Sequence, residues 1–328
     1  MQWNPQMSRR LRLRDLHYLL TVVQAGSMAK ATTALAVSQP VISKVIADME
    51  HLLGEKLLDR SPRGVEPTIY GRRLLASSFA IFDELRQSVI EIEHLADPAA
   101  GELSIGSNED STLGIVPTVI KDLHRRHPRA FIQITLIGSP EDQKRELLQR
   151  SVEFVVGRVR QHVPDHDLET EVLFDEQFSV LAGADNPWAH RRRVELAELL
   201  DRPWIMPSRA FPGAQLFVEM FRGKGLEAPQ GPVYTSSLQL TQRLLEEGPF
   251  LALLPTSIVP SLVEHSALRT VPVPLPDLVS PIGVIRLRNR ELSPLARIFI
   301  EAARVAARAI PTQKERLPVE PPAGPPHQ

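Results

Sequence analysis

Three polar residues that could contact nucleic acid fall on one side of a single predicted helix, within residues Val37–Gly54. The amide of Gln39 can bond the edge of a base, the hydroxyl of Ser43 can do the same, and the ammonium of Lys44 suits a phosphate. The opposite face repeats apolar side chains with helical spacing, at Val41, Ile42, Val45, Ile46 and Met49. A solvated surface helix has the same pattern, so the neighbouring segments decide between the two interpretations.

The segments before this helix favour the nucleic-acid interpretation. A predicted helix over Leu13–Ala25 is closed by Gly26, and Ser27 can cap a short helix over Met28–Leu35. The start of the next helix has an expected N-cap and a first-turn proline, at Ser38 and Pro40. Two short helices in this order indicate a helix-turn-helix, whose second helix enters the major groove of DNA. We therefore expect Gln39 to be the main base-reading residue, and Ser27 to lie among the DNA contacts.

A hairpin and a long helix follow. Leu57–Thr68 is typical of a two-stranded wing that turns at residues 62–64, and Arg60 and Arg63 could meet phosphate or the minor groove. A solvated hairpin is the alternative. Residues 68–96 then form one predicted helix on the order of 40 Å long, which is too long to stand alone without burying its apolar seam. That heptad seam predicts a dimer through Leu75, Phe82, Leu85, Val89 and Ile92.

These residues resemble the LysR-type transcriptional regulators. The matching residues, in order and spacing, are Leu16-His17-Tyr18, Ala25-Gly26-Ser27-Met28, Val37-Ser38-Gln39-Pro40-Val41-Ile42-Ser43, Leu53-Gly54, Leu57-Leu58-Asp59-Arg60-Ser61 and Thr68-Ile69-Tyr70-Gly71. The resemblance implies a winged helix-turn-helix over residues 12–67, a dimer that pairs into a tetramer, a partly palindromic operator and a contact with RNA polymerase. Lys44 stands where many members have Arg, so a phosphate contact is expected there.

The rest of the chain alternates predicted strands and helices, which indicates an α/β domain with a parallel sheet. The predicted strands are Leu103–Gly106, Phe131–Ile137, Val152–Val156, Phe178–Ala182, Trp204–Met206, Val233–Tyr234, Leu251–Leu254 and Ile282–Arg286. The predicted helices are Leu113–Arg126, Pro140–Arg150, Val194–Leu200, Ala214–Lys224, Leu238–Glu247 and a last one from Pro294 to about Ala309.

After a hinge at residues 97–101, residues 102–310 resemble the two-lobed, periplasmic-binding-protein-like effector domain of the family. We expect lobe I over about 102–175 and 280–310, and lobe II over about 176–279. Ligand groups are expected where strands end or helices begin. The candidate effector-binding residues are Ser107, Asn108, Ser139, Arg158, Ser208, Thr235 and Ser236.

The predicted effector is a small molecule between the lobes. Arg158 suits a carboxylate, while the hydroxyl and amide groups serve a sugar equally well, so both classes stay open. Three short runs of the effector domain most resemble family members that regulate sugar uptake or aromatic-acid catabolism. These runs are Val155-Val156-Gly157-Arg158, Thr235-Ser236-Ser237-Leu238 and Leu253-Leu254-Pro255.

Composition limits the remaining possibilities. The 328 residues include no cysteine, so thiol chemistry and disulfides are excluded, and no apolar run is long enough to span a bilayer. We expect a cytoplasmic protein. Residues 1–75 hold eleven Lys and Arg against six Asp and Glu, a net charge of +5 that leaves −6 for the remainder. Residues 1–11 are expected to be a flexible arm, and the proline-rich residues 311–328 a disordered tail.

Catalysis and metal binding find little support. His162 and His166 flank Asp165, with Asp167 beside them, but Pro164 interrupts the segment and a solvated loop is the better interpretation. The chain has no Gly-rich phosphate loop, GxSxG elbow or HExxH motif. We expect no enzyme activity, no cofactor and no metal. A ligand-independent architectural DNA-binding protein is the alternative to a ligand-responsive regulator.

Overall fold

The structure is a computed structural model that describes residues 11–61, 64–97, 99–159, 165–208, 212–264, 266–276 and 278–310. Residues 1–10 of the predicted arm, Arg63, His162 and the tail 311–328 lie outside the described residues. The chain divides into two compact units: the first runs up to Val89 and also includes Leu148–Arg150, and the second comprises the remaining residues from Ile90 onwards.

The first unit begins with three helices. They are α1 (Leu13–Ala25), α2 (Met28–Leu35) and α3 (Gln39–Leu53). Gly26 ends α1 in the left-handed conformation, with φ 70°, and the Ser27 hydroxyl accepts a hydrogen bond from the Lys30 backbone N–H at 3.1 Å. Both predicted caps are confirmed. Ser38 occupies the N-cap position of α3, but its side chain makes no capping hydrogen bond.

The buried stripe of α3 is narrower than predicted. Ile42, Ile46 and Met49 are buried, whereas Val41 is 44% exposed. A helix turns about 100° per residue, so Val41 lies a quarter-turn outside the arc that the other three share. The prediction that Val41 is buried was wrong, and the solvent-facing surface of α3 therefore includes an apolar side chain.

The wing and the long helix complete this unit. β1 (Leu58–Ser61) pairs antiparallel with β2 (Gly64–Pro67), and α4 runs over Ile69–Ala96. The hydroxyl of Thr68 accepts a hydrogen bond from the Gly71 N–H at 3.0 Å, which fixes the start of α4.

The predicted dimer seam of α4 has two parts. Leu75 is buried in the core of the first unit, and Phe82 packs against that core, because the first turns of α4 complete it. Leu75 is thus not available to a partner helix. The exposed apolar side chains further along α4 are Ile81, Leu85, Val89, Ile92 and Leu95.

The second unit contains two five-stranded sheets. The first has the order β4-β3-β5-β12-β6, with β3 (Ala100–Ser107), β4 (Arg129–Leu136), β5 (Phe154–Arg158), β6 (Leu168–Glu176) and β12 (Ser280–Leu287). The second has the order β11-β7-β10-β8-β9, with β7 (Phe178–Gly183), β8 (Trp204–Pro207), β9 (Val233–Thr235), β10 (Leu251–Pro255) and β11 (Leu268–Val271).

Helices connect these strands. They are α5 (Glu109–Leu113), α6 (Ile115–Arg126), α7 (Pro140–Leu148), α8 (Pro212–Arg222), α9 (Leu238–Glu247), α10 (Val259–Glu264) and α11 (Pro294–Ala307). Short 3-10 turns lie at Pro187–His190, Leu196–Leu199 and Thr256–Ile258. None of the helices in the described part of the chain is long and apolar enough to cross a membrane.

The second unit differs from the prediction in four ways. Both are mixed rather than parallel, because β12 pairs antiparallel with β5 and β6, and β7 pairs antiparallel with β10 and β11. The strands β6 and β11 and the helix α10 were not predicted. The helix predicted over Val194–Leu200 is only a 3-10 turn, and β3 begins at Ala100, inside the predicted hinge.

Candidate nucleic-acid interface and ligand cavity

The polar side of α3 is open to solvent. Gln39, Pro40 and Lys44 are exposed and Ser43 is half-buried, while the fully buried Ile42 and Ile46 hold the helix on its own core. These contacts present the first two turns of α3 outward. This arrangement fits a recognition helix whose N-terminal residues reach base edges.

A buried carboxylate ties the end of α3 to the wing. Glu50 accepts hydrogen bonds from the backbone N–H groups of Leu57 at 2.9 Å and Leu58 at 3.4 Å, and pairs with the Lys56 ammonium at 2.7 Å. Burial acts to raise the pKa of Glu50, but the bonds from Lys56, Leu57 and Leu58 outweigh it and hold the pKa below its ordinary value. The start of the wing is therefore anchored to α3 by a charged group.

A second contact places the wing beside the turn after α1. The Val65 N–H donates to the Gly26 carbonyl at 2.9 Å, and a Cβ atom on Gly64 would lie 2.6 Å from the same oxygen. Gly64 has a φ of 132°, so glycine is required there for both reasons. Arg60 is exposed and lies opposite Val65 in the register of the wing. Its partner in the prediction, Arg63, lies outside the described residues.

The second unit contains a cavity of about 280 Å³ lined by residues of both sheets. Five of the seven predicted effector-binding residues line it: Asn108, Arg158, Ser208, Thr235 and Ser236. They follow strands or precede helices, as the sequence predicted. The apolar part of the lining comes from Leu136, Ile137, Phe178, Ile205, Met206, Leu253 and Leu254.

The other two predicted residues do not line the cavity. Ser107 is fully buried, and its hydroxyl lies 3.1 Å from the Val156 carbonyl and 3.2 Å from that of Asn108. Ser139 caps α7 by accepting from the Asp142 N–H at 3.1 Å, and its hydroxyl donates to the Asp142 carboxylate at 2.7 Å. Strand ends alone do not determine which side chain faces the cavity, and in both cases the hydroxyl instead bonds a near neighbour.

Arg158 is already paired within the chain. Its guanidinium donates to the Asp110 carboxylate at 2.8 Å and to the Ser280 hydroxyl at 2.9 Å, and its carbon atom lies 5.4 Å from the centre of the Phe178 ring. The sequence did not single out Asp110. Its position in Asn108-Glu109-Asp110, directly after a predicted strand, was the only available signal.

Glu109 also lines the cavity and bonds to a distant segment. Both of its carboxylate oxygens lie 3.2 Å from the backbone nitrogen of Leu238, the first residue of α9. The Ser237 hydroxyl caps the same helix by accepting from the Leu240 N–H at 3.2 Å. A carboxylate of α5 thus occupies the positive end of α9.

Glu176 is buried and lines a second, separate cavity of the second unit. Its carboxylate accepts from the Ser257 N–H at 3.0 Å and from the Ser257 hydroxyl. Burial raises the pKa of Glu176; the Ser257 bonds and the charge of Arg158 oppose that rise, while the charge of Asp110 adds to it.

The two carboxylates weighed as metal ligands, Asp165 and Asp167, pair with a lysine instead. The Lys144 ammonium lies 2.7 Å from the Asp165 carboxylate and 3.5 Å from that of Asp167. Within the ranges that the structure describes, no group of three or more His, Asp or Glu residues could hold a metal ion.

A helix-turn-helix with a wing, followed by two sheets that line a common cavity, is the architecture of a class of DNA-binding regulators that respond to small molecules. Two family models match the chain: a bacterial regulatory helix-turn-helix protein of the lysR family over residues 13–72, and a LysR substrate binding domain over residues 96–308. The chain belongs to the LysR family of ligand-responsive, DNA-binding transcriptional regulators.

Relatives and solved structures agree with this assignment. The chain is 25% identical to the uncharacterized regulator YdcI of Escherichia coli over 93% of this chain and 98% of that protein. It is 26% identical to the regulator GbpR of Azospirillum brasilense, over 92% and 88%. Among solved structures, full-length BenM is 26% identical, with 90% of this chain and 96% of BenM covered and a TM-score of 0.53.

Proposed function

We propose that α3 reads the major groove through Gln39 and Ser43, and that Lys44, Arg60 and Arg63 bind mainly phosphates. The observation that carries this proposal is the exposed polar start of α3 above the buried Ile42 and Ile46. Ser27, Ser38 and Pro40 shape the same surface as the cap residues and first-turn proline of the two helices. Base contacts give sequence preference, whereas phosphate contacts give affinity and position.

Replacing one residue of each kind tests this division. Gln39→Ala should cost about 1 to 3 kcal/mol at one base pair of each half-site and relax the preference there. Arg60→Ala should weaken all sequences alike and reduce the salt dependence of binding. Binding to a library of operator variants measures both effects. A Gln39→Ala protein that keeps the full preference of the unaltered protein would contradict the assignment.

We also propose that the effector is a small molecule in the cavity between the two sheets, held by Asn108, Arg158, Ser208, Thr235 and Ser236. Polar groups from both sheets converge there on a partly apolar space, which is typical of ligand sites. Thermal shift against sugars and aromatic acids tests the proposal, followed by calorimetry on Ser208→Ala. An effector that binds Ser208→Ala and Ser236→Ala with unaltered affinity would lie elsewhere.

The exposed apolar side chains of α4 support a dimer. Leu85, Val89 and Ile92 fall on one side of α4, together with Ile81 and Leu95. We propose a homodimer through this surface and, by family resemblance, tetramers, binding to a partly palindromic operator and contact with RNA polymerase. The chain would act on DNA in the cytoplasm.

Two other functions are disfavoured by the cavity. A ligand-independent architectural protein would not require a cavity on which polar groups of two sheets converge. An enzyme would require catalytic groups in it, and the ionisable lining residues Glu109, Asp110 and Arg158 are engaged with one another or with backbone. Turnover of a bound compound would revive the second alternative, and a chain that binds no small molecule would revive the first.

A further inference from the structure

Arg158 and the N-terminus of α9 are two groups of the cavity lining that would attract an anion. Each of them is already bonded to a carboxylate of this chain. Asp110 accepts from the Arg158 guanidinium at 2.8 Å, and both oxygens of Glu109 lie 3.2 Å from the Leu238 nitrogen. Both carboxylates belong to the five-residue helix α5, which follows the strand β3.

The charge of Arg158 is already balanced within the chain. Of the five N–H groups of its guanidinium, one donates to Asp110 at 2.8 Å and another to the Ser280 hydroxyl at 2.9 Å, and the ring of Phe178 lies beside the guanidinium. The Arg158 side chain is only 17% exposed, and that of Asp110 is 25% exposed. A ligand carboxylate that bonded the remaining N–H groups would lie close to the Asp110 carboxylate, and like charges repel one another in a partly buried site.

The N-terminus of α9 is occupied in a similar way. Glu109 bonds the N–H of Leu238, and the Ser237 hydroxyl bonds that of Leu240. The Ser237 N–H is itself bonded to the Thr235 hydroxyl at 3.0 Å. These bonds take up donors that a free helix end offers an anion.

The formal charge of the cavity points the same way. Among the described lining residues the ionisable ones are Glu109, Asp110 and Arg158, which together carry a net charge of −1. The other polar lining residues are neutral hydroxyl and amide side chains, among them Asn108, Ser208, Thr235 and Ser236, which can both donate and accept hydrogen bonds. A neutral ligand can bond to them without placing a second negative charge beside Glu109 and Asp110.

We infer that the effector of this protein is a hydrogen-bond donor without negative charge, such as a polyhydroxyl, amide or amine compound, and that Glu109 and Asp110 exclude carboxylates from the cavity. This inference rests on the proposed location of the effector between the two sheets. It decides between the two effector classes that the sequence left open.

Matched compounds test the inference on the full chain. Calorimetry at a fixed salt concentration compares two sets of compounds. The first set is glucose and glucosamine against gluconate, and the second is benzamide and benzylamine against benzoate. Within each set the carbon skeleton is similar and the charge changes. The neutral or cationic member of at least one set should bind at least tenfold more tightly than its acid. An acid that binds as tightly as its neutral counterpart, or more tightly, would overturn the inference.

Two variants give the test a second, independent arm. Asp110→Asn and Glu109→Gln each raise the net charge of the lining from −1 to 0, and each should increase the affinity for gluconate or benzoate at least tenfold. Asp122→Asn is the matched control, because it makes the same charge change on α6, where Asp122 pairs with Arg125. Acid binding that stays weak or unmeasurable in both cavity variants would contradict the inference.

One more variant separates the inference from the proposed function. Ser236 is exposed and lines the cavity, so Ser236→Phe should fill space there without disturbing the core. Loss of binding in Ser236→Phe places the compound in the cavity. The affinities of the neutral and acidic compounds then test the inference about charge by themselves. Binding that survives this substitution would place the compound elsewhere, and the proposed site would fail instead of the inference about charge.

Discussion

A carboxylate oxygen of Glu50 in α3 lies 2.9 Å from the backbone nitrogen of Leu57, just before the wing. The Leu57 carbonyl in turn accepts from the Thr68 N–H at 3.0 Å, directly before α4. A Cβ atom on Gly71 would lie 2.0 Å from the same carbonyl oxygen, so α4 approaches closely at this point. The backbone of Leu57 thus bonds to α3 and to Thr68, and α4 packs closely against it, so this one residue connects α3, the wing and α4.

We first predict that Glu50→Ala destabilises the DNA-binding unit by about 1 to 3 kcal/mol, because it leaves the buried N–H groups of Leu57 and Leu58 without an acceptor. Chemical denaturation measures the loss. Glu55→Ala is a matched control, since Glu55 is an exposed carboxylate close to Glu50 in sequence. Equal stability of the Glu50→Ala and Glu55→Ala proteins would show that the buried bonds contribute nothing.

The same residue predicts a pH dependence. The pKa of Glu50 is lower in the folded chain than its ordinary value of 4.5, so its contribution to stability is present above that pH and disappears as the pH falls through the folded pKa. The stability difference between the unaltered protein and Glu50→Gln should therefore shrink below about pH 4.5. A difference that stays constant into that range would contradict the assignment.

The second prediction concerns α4. Leu85→Glu combined with Ile92→Glu should abolish dimerisation and operator binding together, because charges would replace exposed apolar contacts of the proposed seam. Light scattering measures the mass. Ala76→Glu is the control, since Ala76 is exposed on the opposite side of α4. A dimer that remains intact in the double variant would move the interface to another surface.

The third prediction concerns Glu176, whose pKa is raised by burial. Because the pKa of Glu176 is higher in the folded chain than in the unfolded chain, protonation of Glu176 favours the folded state. Its contribution to the free energy of unfolding is therefore complete below about pH 4.5 and is lost as the pH rises through the folded pKa. Glu176→Gln should therefore unfold at a higher temperature than the unaltered protein at pH 8, and this gain should vanish near pH 4.5. Thermal melts across that range measure it.

Glu171→Gln gives the opposite sign and serves as the control. The bond from Arg304 lowers the pKa of Glu171, so this carboxylate stabilises the fold at neutral pH and loses that effect as the pH falls. At pH 8, Glu171→Gln should be less stable than the unaltered protein and Glu176→Gln more stable. A loss of stability in both variants would show that the Ser257 bonds of Glu176 outweigh its burial.

The sequence predicted those elements whose local signals agree with their final environment. Three helices, α1, α2 and α9, combine cap residues with helical spacing of apolar side chains. All three have the bounds that the sequence predicted. β6 was missed because Leu168–Glu176 contains four carboxylates, which are depleted in strands and obscure the signal of Thr170, Val172 and Phe174. It forms through its pairing with β12, which no local pattern reveals.

The cavity shows a similar division. Strand and helix ends predicted five lining residues, because topology alone brings such ends together. The roles of Asp110 and Glu109 depend on partners 48 and 129 residues away along the chain, so they could not be read from spacing. For the same reason the sequence indicated that Arg158 suits a ligand carboxylate but did not reveal its bond to Asp110.

The last prediction compares two serines that the sequence treated alike. Ser107 is buried with its hydroxyl directed at backbone carbonyls, whereas Ser208 lines the cavity. Ser107→Ala should lower stability by about 1 kcal/mol and leave effector affinity unaltered, because a buried hydrogen bond is lost away from the ligand. Ser208→Ala should keep stability and weaken effector binding. Denaturation and calorimetry on both variants measure this contrast, and a loss of affinity in Ser107→Ala alone would place the effector deeper, against β3 and β5.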